Sequence, residues 1–166
     1  MALLFSGWAW CAPGGWDWSE DAEWQLQTGA GSESRRYSLG LRLDEAGLPS
    51  SPQEMVILPS GLLVRYRERR VVNLTVLEGN WTVLRKDAAV AQVGEPWTEL
   101  AARWGPPFRI YSHPAKKGVI HYYRASLADL GVVVAEGTVQ SVMLVEPGFL
   151  EGALQRTGYT SPAPAP

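Results

Sequence analysis

Few residues in this chain can do chemistry, and they are scattered. Cys11 is the single cysteine, and His113 and His121 are the two histidines. One thiol closes no internal disulfide and builds neither a Cys-based zinc site nor a Cys-x-x-Cys redox pair. His113 precedes Pro114 in a loop-like stretch, and His121 falls in a strand-like stretch on the face opposite Ile120 and Tyr122. Neither has a carboxylate or nucleophile at a spacing that would make it a general base, so both read as ordinary loop and strand histidines. Glu68 and Glu136 recur at matching positions, but those positions are turns, whereas paired-acid glycoside hydrolysis needs two acids across one cleft. No Gly-rich phosphate loop, zinc spacing or Gly-x-Ser-x-Gly elbow is present. The expectation is a protein without a catalytic, metal or cofactor site.

Two groups of side chains point to binding instead. Arg65, Arg67, Arg69 and Arg70 place four guanidiniums on one strand and its turn, suited to an anionic partner, an acidic segment of this chain, or protection of a strand edge. Trp16, Trp18 and Trp24 stand among Asp17, Glu20, Asp21 and Glu23, with no base between them. Docking of this acidic segment onto the first half of the body, near the arginines, is expected. If it is free, its rings become candidates for binding an outside partner.

The elements that must position these groups follow from patterning. The 166 residues are 46% hydrophobic and 19% charged, with a net charge of -2 and eight Trp, values of an ordinary globular chain. With a pI near 5.7, nothing draws the protein globally to nucleic acid. Residues 1–12 are apolar and uncharged before Pro13-Gly14-Gly15, but fall short of the roughly 20 residues of a membrane span. They read as a hydrophobic arm or an incomplete signal-like segment, which leaves cytoplasmic and exported locations open. Asn73-Leu74-Thr75 and Asn80-Trp81-Thr82 are glycosylation sequons only in a glycosylating secretory pathway.

From about Tyr37 the chain repeats itself. Residues 61–78 align without a gap on 129–146 at an offset of 68, where Leu62, Val64, Glu68, Val71 and Glu78 meet Leu130, Val132, Glu136, Val139 and Glu146. Leu62, Val64 and Tyr66 alternate with Leu63, Arg65 and Arg67. Glu68-Arg69-Arg70 turns, and Val72, Leu74 and Val76 return with the same division of faces, the period-two signature of a hairpin. In the second copy Leu130, Val132 and Val134 run out, Glu136-Gly137-Thr138 turns, and Val142 and Leu144 come back. Residues 55–58 and 119–124 supply a preceding strand in each copy.

A helix is predicted between Pro96 and Gly105, since Pro suits the first turn, Gly-Pro ends it, and Trp97, Leu100, Ala101 and Trp104 form one apolar stripe. The counterpart between Gly40 and Gly47 is about a turn shorter, and a further short helix is expected over residues 19–27, capped by Ser19. Residues 80–90 read as a linker, and residues 160–166 as an extended, unpacked tail.

This order, helix then three strands done twice, resembles the fold of the secreted beta-lactamase-inhibitor protein and of the small outer-membrane-assembly lipoproteins. Gly94, Glu99, Leu100, Gly105 and Pro107 match their helix motif, and Gly40, Asp44, Gly47 and Pro49 match it with shortened spacing. The inhibitor's paired cysteines and the lipoproteins' lipid-modification motif have no counterpart here. The resemblance implies a non-catalytic, protein-binding architecture. The expected fold class is therefore α+β: two tandem helix-plus-antiparallel-sheet units behind a Trp-rich arm. The boundaries are 1–36 for the arm, 37–92 for the first unit and linker, 93–150 for the second, and 151–166 for the tail. The expected function is a partner-binding module, an inhibitor or assembly accessory using the outer sheet face, with a structural subunit of a larger assembly as the alternative.

Overall fold

The computed structural model describes residues 16–29 and 33–161. The apolar segment before Trp16, with Cys11, and the Pro-rich residues 162–166 lie outside the described residues, as does any expectation about them. The elements, in order, are β1 (Trp24–Thr28), β2 (Arg35–Ser38), β3 (Met55–Ile57), β4 (Leu62–Arg67), β5 (Arg70–Val76), β6 (Trp81–Arg85), β7 (Ala88–Gln92), α1 (Trp97–Trp104), β8 (Arg109–Ser112), β9 (Val119–Arg124), β10 (Asp129–Ala135), β11 (Thr138–Val145) and α2 (Leu150–Arg156). They form two antiparallel sheets, one of four strands in the order β2-β1-β6-β7 and one of seven in the order β3-β4-β5-β11-β10-β9-β8.

Three hairpins share one local design. The turns Glu68-Arg69, Lys86-Asp87 and Glu136-Gly137 each hold two residues in the left-handed region, with φ of 52° and 62°, 51° and 64°, and 52° and 76°. This is the type I′ turn, whose twist matches that of the strands it joins. Three residues past each turn the register shifts, leaving Val72, Val90 and Gln140 as bulges. A bulge reverses the in-and-out order of the strand beyond it. In β5 it is therefore Val71, Leu74 and Val76 that are buried, not the simple alternation of Val72, Leu74 and Val76 predicted from the sequence.

One face of the large sheet, its inner face, is covered by the small sheet and by α1. A single buried cluster joins Leu62, Val64 and Leu74 of β4 and β5, and Leu130, Val132 and Val142 of β10 and β11, to Trp24, Leu26, Trp81 and Val83 of the small sheet and Leu100 and Trp104 of α1. Indole N–H groups buried there find carbonyls: Trp81 Nε1 donates to Ser60 O and Glu78 O, both at 3.2 Å, and Trp104 Nε1 donates to Val90 O at 3.2 Å.

The expected fold class is corrected by this arrangement. The chain is mostly β, with two short helices among the described residues, and is not two helix-plus-sheet units. Where the first helix was expected, Gly40, Leu41 and Leu43 exchange backbone hydrogen bonds with Arg69 of the β4–β5 turn and Val71 of β5, and a single turn follows. Leu39, Leu41 and Leu43 recur every second residue, a period that suits extended chain. Residues 19–27 are not a helix either. Ser19 donates its N–H and hydroxyl to Asp17 Oδ1 at 3.0 and 2.5 Å in a turn, and the alternation of Trp24 and Leu26 with Gln25 and Gln27 makes β1. The supposed linker is the β6–β7 hairpin. The supposed tail contains α2, and Thr160 exchanges two backbone hydrogen bonds of 2.9 Å with Ser112, extending the sheet beyond β8.

Replacing Trp104 with Ala should lower the unfolding free energy by about 3–5 kcal/mol, the range for emptying a fully buried aromatic site. Trp104→Phe should cost less, losing the bond to Val90 O and part of the volume. Urea denaturation of both variants checks this.

Candidate functional site

The predicted binding residues separate into different places. Trp16, Trp18 and Trp24 are brought together, but against the core: Trp24 is buried in it and Trp16 and Trp18 pack half-buried on its rim. Trp18 stacks on Trp24 at 5.5 Å and on Tyr123 at 4.8 Å, and donates Nε1–H to Trp104 O at 3.3 Å. The Arg85 guanidinium lies 5.0 Å over the Trp16 ring and 5.6 Å over Trp24, which is 3% exposed. The segment thus docks on α1 and β9 and, through Arg85 and Lys86, on the stretch that closes the first unit. Its acid Glu20 pairs with Arg85 and Lys86, not with the residues 65–70 arginines, and the hydrogen bond from Lys86 holds the Glu20 carboxyl below its usual pKa.

The four arginines do not act as one cluster. Arg67 places Nη2 at 2.9 and 3.2 Å from the Glu146 carboxylate oxygens and lies over the Phe149 ring. Arg70 donates to Gly40 O at 3.0 Å. Arg69 sits exposed in the I′ turn. The Arg65 side chain, on the outer face of β4, makes no hydrogen bond or ion pair among the described residues.

The outer face of the large sheet is covered over one half only, by α2. Leu150 and Leu154 close over Tyr111, Ile120, Tyr122 and Val145. Asp129, buried at the head of β10, fixes the approach: its Oδ2 accepts from Tyr122 Oη at 3.1 Å and from the backbone N–H groups of Gly148 and Leu150 at 3.0 and 3.3 Å. Burial raises the Asp129 pKa against the pull of these donors and pushes that of Tyr122 up to about 12. A second tie runs from Glu151 to Arg109 and to Tyr111 Oη, the latter at 2.5 Å. Gly131 supplies the notch in the sheet: a Cβ there would stand 2.6 Å from Met143 Cε and 3.2 Å from Leu150 Cδ2.

Between α2 and the β4–β5 half lies a groove of about 610 Å³. Thr75, Val133 and Met143 line it from the sheet, Leu154 from the helix, and Leu77 and Arg65 from the open half. Arg156, from the last turn of α2, is a second cation beside it, and no acid is among its lining residues. It was not foreseen, because α2 was read as tail. The stripe Leu150, Ala153 and Leu154 was the available signal.

His121 is on the inner face, 7% exposed, with its ring stacked 4.0 Å from Trp97. Its Nδ1 is buried without a hydrogen-bond partner, and burial lowers its pKa to about 4. No carboxylate reaches it, so nothing there orients it as a base. Among the described residues no group of three or more His, Cys, Asp or Glu side chains could hold a metal ion, and no helix is long and apolar enough to cross a membrane. No protein family, curated protein or solved structure matches the chain.

Two outcomes test these assignments. Because His121 is held neutral when folded, its contribution to stability is complete above about pH 6.5 and is lost as pH falls toward about 4, by at most about 1.4 kcal/mol per pH unit. His121→Phe, which keeps a ring against Trp97 but cannot titrate, should gain on the parent protein between pH 7 and pH 5 in urea denaturation; parallel pH profiles would refute the assignment. Gly131→Val should lift α2 from the sheet, seen as faster tryptic cleavage at Arg156 and a lowered Tm.

Proposed function

We propose that the protein is a non-catalytic partner-binding module whose working surface is the outer face of the seven-stranded sheet, at the groove between α2 and β4–β5. One observation carries this reading: a concave surface with apolar walls, two arginines and no acid stands open on a face whose other half is sealed by the chain's own helix. Apolar walls supply affinity through burial, and a small number of fixed charges selects the orientation of what binds. Arg65 is the predicted binding residue that belongs to this surface. Arg67, tied to Glu146, borders it, and the Trp16–Trp18–Trp24 rings are spent on the core. A catalytic role gains no support from a groove without His, Cys or carboxylate in its lining.

The test is site-specific photo-crosslinking in extracts of the native cells. With p-benzoylphenylalanine installed at Thr75, a discrete adduct should form and be competed by unlabelled protein. It should be lost when Ala153→Arg fills the groove, and absent when the probe is placed at Gln92, exposed on the small sheet. No adduct at Thr75, or the same adducts from both positions, would overturn the reading.

A further inference from the structure

We infer that the open half of this face receives an amphipathic α-helix of a partner protein, seated as α2 is seated on the covered half and bringing a carboxylate to Arg65. The inference rests on the binding reading above and names its occupant.

The argument begins with a local symmetry. The offset of 68 carries Thr75 onto Met143, and these two residues are paired where β5 meets β11. The hairpins β4–β5 and β10–β11 are thus related by a twofold axis through that pair, and each outer-face residue of one hairpin has a counterpart on the other. Val145, 6% exposed beneath α2, corresponds by the same offset to Leu77, 50% exposed. Across the next strand, Tyr122 pairs with Gly131 as Ile57 pairs with Leu63; Tyr122 is 0% exposed and Ile57 57%. Two of the most exposed large apolar side chains among the described residues therefore stand where their counterparts are sealed by a helix.

Connectivity explains why this half is bare. After β11 the chain passes through Glu146-Pro147-Gly148 into α2 on the outer face. After β5 the matching stretch, Glu78-Gly79-Asn80, leads into β6 and the inner cover, with Trp81 held by Ser60 and Glu78. Among the described residues no element covers Leu77 and Ile57. A helix is the occupant to expect because the symmetry-related half of this same face takes one, and the apolar stripe of a helix can cover a sheet face without needing a free edge.

The occupant is not a copy of α2. Leu63 stands for Gly131, so the notch that admits Leu150 is filled and the visiting helix rides farther out. Arg65 stands for Val133. Its side chain has no partner among the described residues, its neighbour Arg67 is already neutralised by Glu146, and the groove offers no acid. Covering a guanidinium with an apolar helix face would strand its charge, whereas a carboxylate on that face restores what desolvation removes.

The probe is a display library on a rigid two-helix scaffold with one face randomised, selected on the full-length protein and counter-selected on Leu77→Asp. Enriched binders should carry Asp or Glu at the centre of an apolar face. Arg65→Ala should weaken them about tenfold or more, and Arg65→Glu, an exposed change checked for an unaltered Tm, should switch the preference to Lys or Arg. Failure to enrich binders over the counter-selection, or binders indifferent to Arg65→Glu, would overturn the inference. So would a concentration-dependent dimer, in sedimentation of the protein alone, that Leu77→Asp abolishes, since a second copy would then own the face. If Thr75 still captures a partner while the helical library fails, the occupant is wrong and the binding surface stands; if both fail, both fall.

Discussion

A seven-stranded antiparallel sheet with apolar residues on one face throughout, and on both faces over part of its width, is stable only where each apolar surface is covered. The rest of the fold is organised to meet that constraint. The inner face takes a composite cover, four strands over one part and α1 over another, and the two are welded by aromatic rings. Trp18, Trp24, Trp104 and Tyr123 meet from four different segments at centroid distances between 4.8 and 5.8 Å. Burial of such rings contributes about 2–3 kcal/mol each, and pair geometry adds about 0.5–1.5 kcal/mol for a favourable contact. The ion pairs of the exposed Glu20 carboxylate are screened by solvent and add little beside this. Apolar cover therefore holds the N-terminal segment in place, and charge decides where it lands: Arg85 lies over two of the rings while donating to Asp17 O.

The outer cover works by other means. A helix of seven residues, Leu150–Arg156, has little stability of its own, so tertiary ties must hold it. Asp129 does this from below with two backbone donors at the helix start, and Glu151 from the side through Arg109 and Tyr111. Burying the Asp129 carboxyl is costly, as its raised pKa records, and three donors offset that cost only with α2 in place. The anchor and the helix thus depend on each other. A carboxylate in that position ties the docking of α2 to a single geometry, in which Leu150 enters the notch at Gly131.

Legibility in the sequence followed the range of the interactions. Strands β4, β5, β10 and β11 could be read because alternation and turn chemistry are local, and the 68-residue offset marked both hairpins. Helix α1 could be read because its start, stripe and stop lie within ten residues. The bulges at Val72 and Gln140 could not: an extra residue leaves no compositional trace, and only the burial of Val71 in place of Val72 reveals it. The β6–β7 hairpin passed for a linker because Lys86-Asp87 lacks the glycine expected of an I′ turn and Ala88 and Ala89 have too little side chain to show a face. Acids after Ser19 suggested a helix start, yet Asp17 had already taken the local donors into a turn, and the long-range pairing of β1 with β6 settled Trp24–Thr28 as strand. Arg65 was visible as one of four arginines. Its separation from the other three was not, because Glu146 and Gly40, which occupy Arg67 and Arg70, come from distant parts of the chain.

The two halves of the outer face also distinguish a permanent cover from a reversible one. Beneath α2, which never leaves the chain, the centre of the patch is Gly131, Val133 and Met143, small or apolar groups that no solvent need rehydrate. At the matching positions on the open half stand Leu63, Arg65 and Thr75. A face destined for constant burial against a fixed subunit gains by losing its central charge, as obligate interfaces do when they come to resemble a protein core. A face that must be soluble alone and covered only at times keeps a charge at its centre and leaves apolar side chains, here Ile57 and Leu77, around it. With Arg65 where Val133 stands on the other half, the open face carries the central charge that suits a reversible cover, which supports the proposed binding module over a structural subunit.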